Sequence, residues 1–356
     1  MFYICKVKIH EKMMSRCLQL GKNGLGNTAP NPMVGAVVVH QGRIIGEGAT
    51  SPFGGAHAEV NAIASVTDKS LLAESTLYVA LEPCSHYGKT PPCADLIVRE
   101  GITRVVVGIK DPHSKVAGKG IARLREAGCE VFVGVLETEC RDHFKRFLCF
   151  QEKKRPYIIL KWAQSSDGFL APDPSLRKAD APYWISSPAS QRLVHQWRAQ
   201  EMAILVGTRT VMDDDPSLTV RHAVGKHPLR VVIDVEHKLP KHASVFSDVA
   251  DTLVLVAMDK QPQDFGRTSF TGINRNMELL PQLCGILYEK QINSIIIEGG
   301  AYTLQQFIDR GLWDEARIFT GTRAFEKGVT APSLPQDKIV LESKSGADRL
   351  TLYYNV

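Results

Sequence analysis

The sequence predicts an α/β protein in two parts, each a sheet packed between helices. Three observations carry this. Short apolar runs rich in Val and Ile alternate with segments of helical spacing along nearly the whole chain, the pattern of repeated βα units. The alternation is broken once, by Gln151-Glu152-Lys153-Lys154-Arg155-Pro156, a charged stretch that ends in proline. The length, 356 residues, suits two domains at roughly 100–200 residues each. The expected division is residues 1–150 and 156–356, with a linker at about 151–155.

The elements follow in order. From His10 to Asn23, Met14, Cys17, Leu18 and Gly21 share a helical face, and Asn23-Gly24 can end the helix. Met33–Val39 and Arg43–Gly48 read as two strands joined by a tight Gln41-Gly42 turn. A helix over Ala58–Ala64, a strand over Thr76–Leu81 and a helix over Ala94–Glu100, stopped at Gly101, come next. Strand Arg104–Ile109, helix Lys119–Ala127 and strand Glu130–Val135 continue the alternation. One helix, about Glu139–Phe150, is expected to close the first part. The second part opens with strand Tyr157–Ala163, helix Pro188–Gln200 and strands Ala203–Val206, Leu229–Ile233 and Thr252–Val256. Helix Glu278–Lys290 must place Pro281 near its first turn, since proline inside a helix removes a hydrogen bond. Strand Ser294–Glu298, helix Ala301–Asp309, strand Glu315–Thr320 and strand Leu350–Tyr354 complete the series. Pro172 to Pro182, polar and rich in proline, reads as a loop over a site.

Composition excludes several classes. No apolar run approaches the ~20 residues that span a bilayer, and Met1–His10 lacks the long apolar core and small-residue cleavage site of a signal peptide. The 8 cysteines lack the paired spacing of a disulfide scaffold, so reduced thiols and a cytoplasmic setting are expected. A net charge of +5 without a basic run gives no nucleic-acid track. It is compatible with a small anionic substrate.

The chemistry concentrates at His57, Glu59, Cys84 and Cys93. An imidazole and two thiolates can hold zinc with a fourth position open for water, whose pKa the metal lowers to about 7. His57 stands at the start of its helix. Glu59, two residues on, is near enough to carry the water's proton to a leaving amine. Cys93 lies at a helix start, where the positive end of the helix favours a thiolate. Cys84 follows a strand, where α/β folds place ligands. A structural zinc would need a fourth protein ligand; His86 is available, but Glu59 would then have no role. Taken together, these residues resemble the zinc nucleobase and nucleoside deaminases.

The resemblance narrows at the interval between the cysteines, which is eight residues rather than two. Asn31-Pro32-Met33-Val34-Gly35, Gly55-Ala56-His57-Ala58-Glu59 and the run from Glu82-Pro83-Cys84 through Ser85-His86-Tyr87-Gly88-Lys89-Thr90-Pro91-Pro92 to Cys93 resemble the bifunctional riboflavin-biosynthesis deaminase/reductase family. The resemblance implies a cytidine-deaminase-like α/β/α sandwich that deaminates a diaminopyrimidinone carrying a ribosylamino 5-phosphate. It assigns one zinc per chain to His57, Cys84 and Cys93 and makes Glu59 the acid/base. It gives substrate contacts to Asn31, and to His86 and Lys89 at the ribose phosphate.

In the second part the usual Gly-x-Gly-x-x-Gly dinucleotide fingerprint is absent. Gly299-Gly300 lies between a strand and a helix, where backbone amides can approach a phosphate, although a plain turn reads the same way. Lys161 through Gly168, Trp184-Ile185-Ser186-Ser187-Pro188, Arg198-Ala199, Thr210 through Pro216 and Glu298-Gly299-Gly300 resemble the reductase half of the same family. That implies a dihydrofolate-reductase-like α/β domain that uses NADPH to reduce the ribosyl group of 5-amino-6-(5-phosphoribosylamino)uracil to ribityl. The resemblance assigns NADPH to Ala163, Trp184, Thr210, Asp214, Gly300, Ala301, Tyr302 and Thr303. It assigns the substrate to Lys161, Arg198, Leu218, Arg221 and Glu298. A guanidinium suits a phosphate bidentately, though alone each Arg reads equally as a solvated charge and Trp184 as a core aromatic. The loop Ala171–Tyr183 departs from the family, with Pro182 where a small polar contact is expected. No nucleic acid or membrane partner is expected, and a homo-oligomer of at least two chains is.

Overall fold

In the computed structural model the strands form where Val, Ile and Leu cluster. The described residues are 2–85, 91–112, 117–173, 175, 184–260, 262–335 and 339–355, without the side chains of 2–7 and 339. They make two units, Met1–Lys154 and Arg155–Val356.

The first unit is built on a five-stranded sheet, in the order β2-β1-β3-β4-β5. Its strands are β1 (Gly35–His40), β2 (Arg43–Ala49), β3 (Thr76–Leu81), β4 (Arg104–Ile109) and β5 (Glu130–Val133). β1 runs antiparallel to β2 and β3, and β3, β4 and β5 are parallel. Gln41 and Gly42 both take positive φ at the β1–β2 turn, a backbone twist that matches the strands. Nearly every residue of β1, β3 and β4 is buried, which requires layers on both faces. Helices α1 (Phe2–Lys22), α2 (Ala58–Ser65), α3 (Cys93–Arg99), α4 (Lys119–Glu126), α5 (Glu137–His143) and α6 (Lys145–Lys153) supply those layers. Gly35 lies under α1, where a β-carbon would strike the Cys17 carbonyl.

Two expectations need correction. The single helix over Glu139–Phe150 is two helices, because Phe144 leaves helical geometry at φ −94°, ψ 11°. The charged stretch 151–155 is no free linker. Its first three residues finish α6, Lys154 turns the chain at φ 54°, and the Arg155 guanidinium is paired with the buried Asp314 carboxylate at 2.5 and 2.8 Å.

The second unit is a nine-stranded sheet, ordered β11-β10-β9-β8-β12-β6-β13-β16-β15. Central are β6 (Tyr157–Gln164), β8 (Ala203–Gly207), β12 (Ser294–Gly299) and β13 (Glu315–Thr320). On one side lie β9 (Leu229–Ile233), β10 (Thr252–Ala257) and β11 (Thr268–Ile273), all parallel; on the other, β16 (Asp348–Tyr354) and β15 (Ile339–Ser345) run antiparallel. A small ribbon pairs β7 (Phe169–Pro172) with β14 (Gly328–Thr330). That places the start of the expected polar loop in a strand; residues 174 and 176–183, Pro182 among them, lie outside the described set. Helices α7 (Pro188–Gln200), α8 (Thr208–Asp214), α9 (Leu279–Glu289) and α10 (Ala301–Asp309) complete the unit. α7 starts where the Ser187 hydroxyl accepts the Ser190 N–H and Pro188 takes the first turn. Pro281 sits in the first turn of α9. Among the described residues no helix is long and apolar enough to cross a membrane.

Candidate functional site

In the first unit the sheet delivers three ligand atoms to one point. His57 caps α2 in an extended conformation, Cys84 follows β3, and Cys93 opens α3. The ligand atoms of His57, Cys84 and Cys93 lie within 4.8 Å of one another. His57 Nδ1 is 3.3 Å from Cys93 Sγ and 3.6 Å from Cys84 Sγ. Tetrahedral zinc with N at ~2.0–2.1 Å and S at ~2.3 Å would set N and S about 3.5 Å apart, so the donors present fit that ion and leave a fourth direction open. The Cys93 N–H, at the head of α3, donates to Cys84 Sγ at 3.3 Å. Hydrogen bonding from Cys93, outweighing burial and joined by His57, pushes Cys84 down to about 4, toward the thiolate a metal requires. Cys93 is pushed up by its hydrogen bond to Cys84 and by burial.

Glu59 sits in the first turn of α2 and is only 4% exposed. Burial first, and the Cys84 charge second, push its carboxyl up to about 7, with His57 opposing. A buried carboxyl beside the ligand cluster can take up and return a proton. Asn31 lies in the half-buried turn before β1. His86 and Lys89 lie outside the described residues.

One residue of this site was not read from the sequence. Glu82, 4% exposed, accepts four backbone N–H groups: Gly120 at 2.9 Å and Ile121 at 3.2 Å on Oε1, Gly118 at 2.9 Å and Asp111 at 3.2 Å on Oε2. Gly120 and Ile121 are in the first turn of α4, whose amides lack partners within the helix. The carboxylate thereby fixes the chain two residues ahead of Cys84. The signal available in sequence was a carboxylate closing an apolar strand immediately before Pro83-Cys84.

In the second unit, β6, β12 and α7 bring Lys161, Glu298 and Arg198 together. Arg198 donates to both Glu298 oxygens, Nε at 2.9 Å and Nη2 at 2.7 Å, and Lys161 Nζ stands 3.7 Å from Oε2. Burial alone would raise the Glu298 carboxyl, but Arg198 and Lys161 pull it down to about 2. Burial lowers the Lys161 ammonium against the pull of Glu298. The planar edge of Arg198 expected to meet a phosphate is therefore engaged by Glu298, with Nη1 on the Thr219 carbonyl at 3.2 Å. Arg221 is the exposed guanidinium. Leu218 is buried at φ 53° between them in sequence.

Thr210 and Asp214 lie on α8, Ala301, Tyr302 and Thr303 on α10, Gly300 at the cap of α10, and Ala163 near the end of β6. The two helices start from the carboxyl ends of neighbouring parallel strands, β8 and β12. A β-carbon on Gly207 would press on Thr303 Oγ1 at 2.8 Å, and one on Gly300 would stand 3.1 Å from Thr210 Oγ1. Two helix amino ends thus converge, with bare glycine backbone at Gly207 and Gly300 beside the Thr303 and Thr210 hydroxyls, a cradle suited to phosphate. Trp184 is 57% exposed, and the described contacts do not join it to this cradle. His195, which the sequence reading passed over, lies one turn before Arg198 on α7; in sequence nothing marks it apart from its neighbours.

Fold and site define a zinc-binding hydrolytic deaminase unit followed by a reductase unit. Residues 7–109 match the cytidine and deoxycytidylate deaminase zinc-binding region, and residues 156–338 match the RibD C-terminal domain. The riboflavin biosynthesis protein RibD of Aquifex aeolicus is 39% identical over 335 residues, 92% of this chain and 91% of its own length. That of Bacillus amyloliquefaciens is 41% identical over 334 residues, 92% and 88% of the two chains. The crystal structure of a diaminohydroxyphosphoribosylaminopyrimidine deaminase/5-amino-6-(5-phosphoribosylamino)uracil reductase from Thermotoga maritima is 36% identical, with a TM-score of 0.88 over 98% of this chain and 99% of its own. Acinetobacter baumannii RibD gives 31% identity and a TM-score of 0.85, again over 98% and 99%. The chain belongs to the RibD family. It is a bifunctional deaminase/reductase of riboflavin biosynthesis, with a zinc-binding deaminase domain and an NADPH-dependent reductase domain.

Proposed function

We propose that the first unit deaminates the diaminopyrimidine ribosylamino 5-phosphate and that the second reduces the resulting 5-amino-6-(5-phosphoribosylamino)uracil. The observation that supports the first assignment is the convergence of His57, Cys84 and Cys93 beside the buried Glu59. These three residues would hold zinc, which when bound acidifies a water. Glu59 takes a proton from the attacking water and returns it to the departing amine. The ring carbon gains a C–O bond, loses its C–N bond, and ammonia leaves. Asn31 hydrogen-bonds the ring; His86 and Lys89 meet the ribose phosphate.

For the reductase, the convergent starts of α8 and α10 support binding of the NADPH phosphates by Gly300, Ala301, Tyr302 and Thr303 with Thr210 and Asp214. Ala163 and Trp184 flank the cofactor. NADPH supplies the hydride and the protein supplies orientation and charge. Lys161 and Glu298 face the sugar, Arg198 holds Glu298 ionised, and Arg221, with Leu218 beneath the same segment, takes the phosphate. The domains are assigned to residues 1–150 and 156–356, joined through 151–155 by the end of α6 and the anchored Arg155. The enzyme works in the cytoplasm as a homo-oligomer, a reading supported for the compartment by the free thiols of Cys17, Cys129, Cys140 and Cys284, and tested for the assembly by sedimentation.

Glu59→Gln tests the centre of this reading. Ammonia release should fall by about 10²–10⁴-fold, the range of general acid–base catalysis, with one zinc per chain retained and NADPH oxidation unchanged. Retained deamination would remove Glu59 from the mechanism.

A further inference from the structure

We infer that His195 is a positioning residue of the reductase: its imidazole fixes the backbone of Arg221 and so sets recognition of the sugar phosphate. The inference rests on the reading that Arg221 meets that phosphate. His195 lies on α7, 5% exposed. Its Nδ1 is 3.1 Å from the Arg221 backbone nitrogen and accepts that N–H. A ring nitrogen that accepts carries no proton, so the ring is neutral with its proton on Nε2. Burial, with the nearby Arg198, Arg221 and His222, pushes His195 down to about 4, and Glu298 alone opposes them. The accepting form is therefore the populated one at neutral pH.

His195 does not act alone on this segment. His227 Nδ1 accepts the Val220 N–H at 3.1 Å. Arg198 Nη1 holds the Thr219 carbonyl, and Leu218 is 2% exposed with φ 53°. The His222 ring stands edge-on to His195 at 4.7 Å. Three consecutive residues, 219 to 221, are thus pinned by side chains from α7 and from the segment that follows, and Leu218 before them is buried. Only the Arg221 side chain remains exposed, resting on Ser217 Oγ. Fixing the backbone beneath a charged side chain removes part of the ordering cost that ligand binding must otherwise meet. A histidine that merely filled space would not need an accepting nitrogen at this point.

The test is steady-state NADPH oxidation by the full chain with 5-amino-6-(5-phosphoribosylamino)uracil and with its dephosphorylated counterpart. Arg221→Met should raise KM for the phosphorylated substrate and leave the other nearly unchanged. His195→Gln, whose amide reaches the Nε2 position, should reproduce that selective rise by about three- to tenfold, the range of one hydrogen bond. His195→Asn, whose oxygen falls where Nδ1 stood, should restore the parent preference. Equal losses for both substrates in His195→Gln and His195→Asn would show a packing role and overturn the inference. So would an unchanged preference in His195→Gln while Arg221→Met responds. An unchanged preference in Arg221→Met would instead refute the reading of Arg221 itself. Nitrogen-15 NMR of the parent provides a test independent of variant folding: a protonated Nδ1 on His195 would overturn the inference, and an unprotonated one supports it.

Discussion

Glu82→Gln should destabilise the first unit by about 2–6 kcal/mol, although it changes a single atom. Each carboxylate oxygen of Glu82 accepts two backbone N–H groups. A glutamine amide has one oxygen, so in either orientation two buried donors face an NH₂ group. Each buried donor left without a partner costs about 1–3 kcal/mol, which gives the range. Urea titration measures it, provided the two units are followed separately. All four tryptophans, Trp162, Trp184, Trp197 and Trp313, belong to the second unit, so tryptophan fluorescence reports that unit alone. Zinc release to a coloured chelator reports the first. With a urea slope of about 2 kcal/mol/M, the zinc-release midpoint should fall by about 1–3 M. A shift below about 0.3 M would refute the four-way acceptor role of this carboxylate.

Gly120→Ala should act at the same joint, because its β-carbon would overlap the Pro83 carbonyl oxygen. Thermal melting and zinc content should both fall, whereas Gly128→Ala, with open space around it but a φ of 87°, should lower stability without touching the metal. Glu298 makes the second unit acid-sensitive. Its folded value of about 2 lies below the ordinary 4.5, so its stabilisation is complete above about pH 4.5 and is lost as pH falls toward 2. The difference corresponds to about 3 kcal/mol. Tryptophan-detected stability should drop by that much more in the parent than in Glu298→Gln over this interval, and parallel curves would refute the pairing. Removing zinc with a chelator should abolish ammonia release and leave NADPH oxidation by the same chain intact; loss of both activities would contradict separate sites.

The elements with strong apolar character were legible in sequence. Thr76–Leu81, Arg104–Ile109, Leu229–Ile233, Pro188–Gln200, Ala301–Asp309 and Glu315–Thr320 have the expected bounds, since a buried strand must be apolar and a capped helix announces its start. What escaped is polar or short. β11 and β15 are sheet edges carrying Thr, Ser, Glu and Lys, and an edge needs only one apolar face. α8 has Thr, Arg and Asp around a single buried Val211, too little to show a period. The break at Phe144 is a backbone event without a Gly or Pro to signal it. The zinc ligands were legible because metal chemistry restricts residue types. Glu82 and His195 were not, because each works on backbone amides brought to it by the fold, 29 to 39 positions away for Glu82 and 26 for His195.

The place of β6 in its sheet bears on how the chain is made. β6 is the first strand of the second unit to be synthesised and the one that ends between β12 and β13. Ile158 must wait for Ile295, and Leu160 for Ala316. The first unit is complete by Lys154 and can fold while the ribosome continues. Through that interval the Tyr-Ile-Ile-Leu run of β6 has both hydrogen-bonding edges open, a template for pairing with other chains. Chains that stop before Ser294 should therefore retain a folded deaminase unit attached to an aggregation-prone strand, and yield of the intact enzyme should depend on how quickly the stretch from Ser165 to Thr320 is translated.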